Sequence, residues 1–295
     1  MVFLALNIVF ASSFMLCIKW VQLRQREDLL TVGVINYIVA AALTVPEFLT
    51  SGTSETSVNA ILTGGILGIC YFVAFFFVMS AVKTAGASST SVIGALSILL
   101  PIGCGVFIWQ ETPHPLQAGG VVLAVLALSL VGSNRTDTPH TADPGPTVRS
   151  RNRKAPVILT VFFLLAGISR LTQETFKHES HAEQRPTFLF TAFAVAAIPS
   201  IVILTVRRRR PTLREFGFGI LLGTANILQT HFILKSLHHF PGFIVFPVSS
   251  AGGVLLTVTV ATVFLGERLN RRTCWGIGIA VVSLVMLNWL PGNTL

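Results

Sequence analysis

The chain has 295 residues, 52% hydrophobic and only 11% charged, with a formal net charge of +9 and a mean hydropathy of +0.74. A soluble domain carries about a quarter charged residues, so this composition argues against a single core in water and for a chain threaded through a bilayer. The basic excess falls in short loops without interleaved aromatic residues, which suits anionic lipid and excludes a nucleic-acid surface.

In chain order, ten mostly apolar runs are each long enough to cross roughly 30 Å of hydrocarbon. They lie at about 2–20, 29–49, 59–82, 88–109, 115–132, 155–175, 187–206, 215–236, 242–265 and 273–290. The first run has no basic residue ahead of it and no small-residue cleavage pattern after it, so it reads as a helix and not as a secretory signal. Gly65, Gly68, Pro101, Gly219, Gly223 and Pro247 fall inside runs, where membrane helices tolerate them and small residues permit close packing. Period-two alternation of the kind a transmembrane barrel needs is not visible. Cys17, Cys70, Cys104 and Cys274 sit in separate apolar runs with no paired spacing, so neither a disulfide framework nor a zinc site is expected.

A self-comparison at an offset of 156 residues (267 − 111) aligns "VMSAVKTAG" (78–86) with "LKSLHHFPG" (234–242), then "FIWQETPHPL" (107–116) with "VFLGERLNRR" (263–272). Glu111 pairs with Glu267, Ser80 with Ser236, Gly86 with Gly242 and Gly120 with Gly276. Five runs stand on each side of a Pro-, Ser-, Thr- and Arg-rich linker. The expected organisation is a first five-helix repeat over 1–132, a polar cytoplasmic linker over 133–154 and a second repeat over 155–295. An odd number of spans per unit inverts the second copy. Seventeen of the 21 Lys and Arg fall in the gaps after runs 1, 3, 5, 7 and 9, and only Arg170, Lys177, Arg185 and Lys235 fall in the others. Basic loops face the cytoplasm, so both termini are expected outside. The fold class is therefore an all-α integral membrane protein with ten transmembrane helices as a five-plus-five inverted repeat, multi-pass in the plasma membrane, a bacterial inner membrane being the expected setting.

The stretches 87–131 and 242–287, each an apolar run, a Glu, a short polar turn and a Gly-containing helix, resemble the EamA-like members of the drug/metabolite transporter superfamily. The resemblance implies a transporter of small metabolites that alternates access between two faces without an organic cofactor. Many members of that superfamily keep both termini in the cytoplasm, whereas the charge distribution here places them outside.

Glu111 and Glu267 occupy equivalent helix joins, where a carboxylate can face the unpaired N–H groups and positive dipole end of the next helix; they read as structural. Polar side chains inside apolar runs are costly, which makes them candidates for a solute pathway. Arg170, Gln173 and Glu174 share one face of the sixth helix by their i, i+3, i+4 spacing; they either line a cavity or form a self-neutralising Arg170–Glu174 pair. Asn226, Gln229 and Thr230 repeat that spacing on the eighth helix, and their amides suit a polar neutral or zwitterionic solute, or else hold helices together. Asn7 on the first helix, Asn36 and Tyr37 on the second and Tyr71 on the third complete the candidate lining. Glu174 and His231 are the candidates for carrying a coupling proton, a counter-solute being the other coupling partner. "HESH" (178–181) lacks a third ligand, so no metal is expected, and no phosphate loop, GxSxG or HExxH occurs. The reading is a secondary carrier and not an enzyme, acting as monomer or homodimer; the alternative is a membrane-embedded enzyme or lipid-carrier flippase.

Overall fold

A computed structural model describes residues 1–24, 27–51, 58–85, 90, 93–94, 96–132, 155–180, 182–208, 210–265 and 271–287. No strand occurs among the described residues. Among the described residues ten α-helices fall on the apolar runs: α1 Val2–Arg24, α2 Leu29–Thr50, α3 Val58–Ala85, α4 Leu99–Phe107, α5 Pro115–Gly132, α6 Ala155–Glu179, α7 Arg185–Val206, α8 Leu213–His239, α9 Gly242–Leu265 and α10 Arg271–Leu287. Six segments are long and apolar enough to cross a membrane: Leu29–Thr50, Val58–Ala81, Pro156–Glu179, Ala182–Val206, Leu213–His239 and Gly242–Val260. Val2–Ile18, Pro115–Leu130 and Cys274–Leu287 are shorter apolar stretches. Among the described residues, six of the ten expected spans are thus present at full length. The linker 133–154 and Glu267 lie outside the described residues.

Helix ends are set by local chemistry. Asp28 caps α2 by accepting the Leu30 N–H at 3.3 Å. Thr212 and Glu215 form a reciprocal capping box at the start of α8, satisfying two orphan donors at once. The outside of the molecule is apolar: Leu49, Ile198, Val206, Val285 and Trp275 are exposed, a surface that water would not tolerate over such an extent but lipid does.

Packing follows a ring. In order around it stand α1, α8, α2, α7, α3, α6, α4 and α9, which returns to α1, while α5 and α10 pack on one another and against α9. First-half and second-half helices alternate at every step. Exchanging each helix with its counterpart five places away in the chain turns the ring order into itself.

Two crossings show why this sequence closes the ring. A Cβ on Gly64 would lie 2.6 Å from the Phe188 carbonyl oxygen, and one on Gly68 would lie 2.3 Å from that of Ala192, so α3 touches the α7 backbone directly. A Cβ on Gly223 would lie 2.7 Å from the Asn36 carbonyl oxygen, and one on Gly219 would lie 2.4 Å from Ile35 Cγ2, so α8 meets α2 in the same way. Each third helix of a half thus uses glycines four apart to seat on the second helix of the other half. With no hydrophobic drive between helices in lipid, such van der Waals contact is what holds them.

Candidate functional site

The polar residues of six helices meet inside the ring. Asn226 on α8 donates from Nδ2 to Asn36 Oδ1 on α2 at 3.2 Å, and Gln229 Nε2 donates to Asn226 Oδ1 at 3.1 Å. Asn7 on α1 donates to the Gln229 carbonyl at 2.8 Å and accepts a short hydrogen bond from Ser249 on α9. Thr230 lies 3.3 Å from the Tyr71 hydroxyl on α3, which also accepts from Gln173 Nε2 on α6 at 2.9 Å. Tyr37 donates to the Tyr71 carbonyl at 2.8 Å. Asn7, Asn36, Asn226, Thr230 and Gln173 are buried, whereas Tyr71, Gln229 and Arg170 keep part of their surface accessible.

The three polar side chains of the α6 face bond different partners. Arg170 turns to α4 and its approach, donating from Nη1 to the Gly94 carbonyl at 3.0 Å and to Ser97 Oγ at 2.5 Å. Gln173 turns to α3. Glu174, fully buried, accepts from Lys177 at 3.0 Å, so the Arg170–Glu174 pair is not the arrangement found. One helical turn carries three side chains to three different neighbours.

Around Glu174 a second cluster forms. Gln110 at the end of α4 has φ of 57°, the left-handed region that a non-glycine residue rarely adopts, and it reverses the chain so that the Glu111 N–H bonds the Gly105 carbonyl at 3.0 Å. The Glu111 carboxylate then faces α6, 2.9 Å from Lys177 Nζ. His178 Nε2 lies 3.6 Å from Glu111 and 3.4 Å from Glu174, its ring stacked on Trp109 at 4.5 Å. The first N–H groups of α5 are met by other side chains: Gln117 Oε1 accepts from His114 N at 3.0 Å and His114 Nδ1 accepts from Leu116 N at 3.3 Å. Glu111 therefore joins the α4–α5 turn to α6 and does not cap the next helix. A Cβ on Gly242 would lie 2.5 Å from Glu174 Oε2, so the carboxylate rests against the first residue of α9, where the dipole end is positive.

Charged pairs between the two halves stand at both ends of the bundle. On the face with the Glu111 cluster, Glu47 of α2 lies 3.5 Å from Arg185 of α7 and 3.8 Å from His231 of α8. His231 therefore faces this pair and not the amide network. On the opposite, basic face, Arg207 lies 2.5 Å from Asp28, and the Asp28 N–H donates to Glu215 at 2.9 Å. Partial burial pushes the Asp28 carboxyl up, but the Thr31 hydroxyl, the Arg207 guanidinium and the Leu30 N–H outweigh it and hold the group below the ordinary carboxylate value. Ser97, Lys177 and these cross-half pairs were not among the candidate residues from sequence, and His178 entered only as part of "HESH" (178–181). The available signal was the set of lone charges flanking apolar runs in both halves.

Glu111, Glu174 and His178 each offer a ligand atom within 4.8 Å of the others. Lys177 Nζ bonds both carboxylates, so its ammonium already supplies the positive charge that a metal would bring.

Residues 1–133 match the family model of the EamA-like transporter family, part of the drug/metabolite transporter superfamily. An uncharacterized protein of Haemophilus influenzae is 27% identical over 228 residues, 76% of this chain and 74% of that protein. A solved crystal structure superposes with a TM-score of 0.71 at 14% identity, covering 97% of this chain and 95% of the other; at that identity the likeness concerns the fold alone.

Proposed function

We propose that this chain, whose residues 1–133 match the EamA-like transporter family, carries a small polar solute across the plasma membrane by alternating access. The observation that carries the reading is the hydrogen-bonded network of Asn7, Asn36, Tyr71, Gln173, Asn226 and Gln229, made continuous by Thr230 between Tyr71 and the Asn226 carbonyl, drawn from both halves of the chain and meeting inside one ring. Amides and hydroxyls at membrane depth are retained where they serve passage or hold helices, and here they converge from six helices.

Inverted repeats at 1–132 and 155–295 account for the ring's symmetry under exchange of counterparts. The pairs Glu47–Arg185 and Asp28–Arg207 join the halves at opposite ends, where opening one and closing the other exposes the network to one side at a time. Since ring neighbours alternate between halves, the moving joints lie between first-half and second-half helices, and the halves are not two bodies side by side. Glu174, faced by Glu111, Lys177 and His178, is the coupling group. His231, beside Glu47 and Arg185, is a second titratable group at the same end.

Counterflow in proteoliposomes tests the carrier: a labelled solute accumulates transiently against its unlabelled form without chemical change. Conversion of the solute would support a membrane-embedded enzyme instead, a reading favoured only by the convergence of Glu111, Glu174 and His178. Glu174→Gln alters the pH dependence of uptake while folded protein is still recovered; uptake that is unchanged at every pH removes Glu174 from coupling.

A further inference from the structure

Arg170 is a cation without a counter-ion among the described residues. Its described acceptors are one carbonyl and one hydroxyl, both neutral and both met by the same nitrogen, Nη1. No carboxylate among the described residues lies within ion-pair distance of it. The nearest acid along α6, Glu174, is held by Lys177. A guanidinium offers five N–H donors in a planar fork matched to an oxyanion, and leaving it unpaired inside a membrane bundle is costly. A merely structural staple between α4 and α6 needs no charge, since a neutral amide would serve.

One turn further, Gln173 is buried with its Nε2 bonded to Tyr71 and its Oε1 without a partner among the described residues. The i, i+3 spacing puts the two side chains about 5–6 Å apart at their Cβ atoms. One group therefore seeks an anion and its neighbour on the same face seeks a hydrogen-bond donor.

We infer that the solute supplies both: a small carboxylate bearing a hydroxyl or amine next to the carboxyl group, its carboxylate on Arg170 and its donor on Gln173 Oε1. This rests on the carrier reading and narrows it from polar solutes in general to anionic or zwitterionic ones.

The test uses purified full-length protein and measures melting temperature with lactate, which has a carboxylate and a neighbouring hydroxyl, propionate, which has the carboxylate alone, and 1,2-propanediol, which has hydroxyls alone. Serine and ethanolamine form the matching amine pair. Lactate or serine should raise the melting temperature by roughly 2–4 °C at tenfold excess over its Kd, propionate less, and the diol and ethanolamine not at all. Arg170→Met should abolish the response to carboxylates while melting, without solute, at or above the parent temperature, because an unpaired cation has been removed. Gln173→Leu should bring lactate down to the response of propionate. Equal stabilisation by the diol, a lactate or serine response that survives Arg170→Met, or no response to any carboxylate overturns the assignment. Counterflow of neutral solutes with none of carboxylates would overturn it and leave the carrier standing; no exchange of either class overturns the carrier itself.

Discussion

Substituting two glycines of α3 that lie three residues apart, Gly65 and Gly68, separates helix packing from helix propensity. A Cβ at Gly68 would meet the Ala192 carbonyl oxygen at 2.3 Å and Val195 Cβ at 2.9 Å, whereas a Cβ at Gly65 has no neighbour within 4 Å. Carbon and carbonyl oxygen approach no closer than about 3.3–3.6 Å, and a backbone oxygen cannot turn aside, so Gly68→Ala must push α3 from α7 by about 1 Å. Overpacking of that kind costs roughly 1–3 kcal/mol, less about 0.5–1 kcal/mol regained from helix propensity. Gly65→Ala keeps the propensity gain and has no clash. Thermal unfolding of the purified protein should therefore rank Gly65→Ala at or above the parent and Gly68→Ala several degrees below it. Gly223→Ala, whose Cβ would lie 2.7 Å from the Asn36 oxygen, should fall with Gly68→Ala and also weaken uptake, because Asn36 carries the amide network. Equal melting of Gly65→Ala and Gly68→Ala would refute the direct backbone contact, and with it the seating of third helices on second helices.

Asn226→Leu removes the partner of Asn36 and of Gln229; a loss of about 1–3 kcal/mol is expected, together with most of the uptake, read by unfolding and by counterflow. Lys177→Met leaves Glu111 and Glu174 without their ammonium and should destabilise by about 3 kcal/mol. Adding Glu174→Gln should recover part of that loss, and a double-mutant cycle with zero coupling would break the assignment. The Asp28 carboxyl is depressed, so its contribution is full above the unfolded carboxylate value of about 4 and is lost as pH falls through the lower folded value. Asp28→Asn should flatten stability in that acid window by about 0.5 kcal/mol, a small effect because Arg207 is 43% exposed.

The helices were legible because each apolar run carries its own signal, and α1 to α10 fall on the ten runs, α4 covering only Leu99–Phe107 of the fourth. The candidate lining was legible for the same reason: an amide such as Asn226 stands out against leucines. Which residues would meet was not. Arg170, Gln173 and Glu174 share a face by periodicity, yet their partners Ser97, Tyr71 and Lys177 come from different helices or a different turn, and periodicity says nothing about neighbours. Glu111 illustrates the limit most clearly. Its counterpart Glu267 suggested a shared capping role, but the left-handed turn at Gln110 aims it at α6, and a φ of that sign at a glutamine leaves no mark in the sequence. The glycine pairs could have been used further, since Gly64 with Gly68 and Gly219 with Gly223 mark the same crossing in each half.

The alternation of the ring bears on how the protein is made. When the first five helices have left the ribosome, none of the four that enter the ring has yet met either of its ring neighbours, because both belong to the portion still to be translated. Gly64 and Gly68 wait in lipid for a helix that begins at Arg185. Assembly is thus a late, concerted insertion of one set of staves between another, and a chain cut in the linker should regain its fold only when both fragments are synthesised in the same membrane.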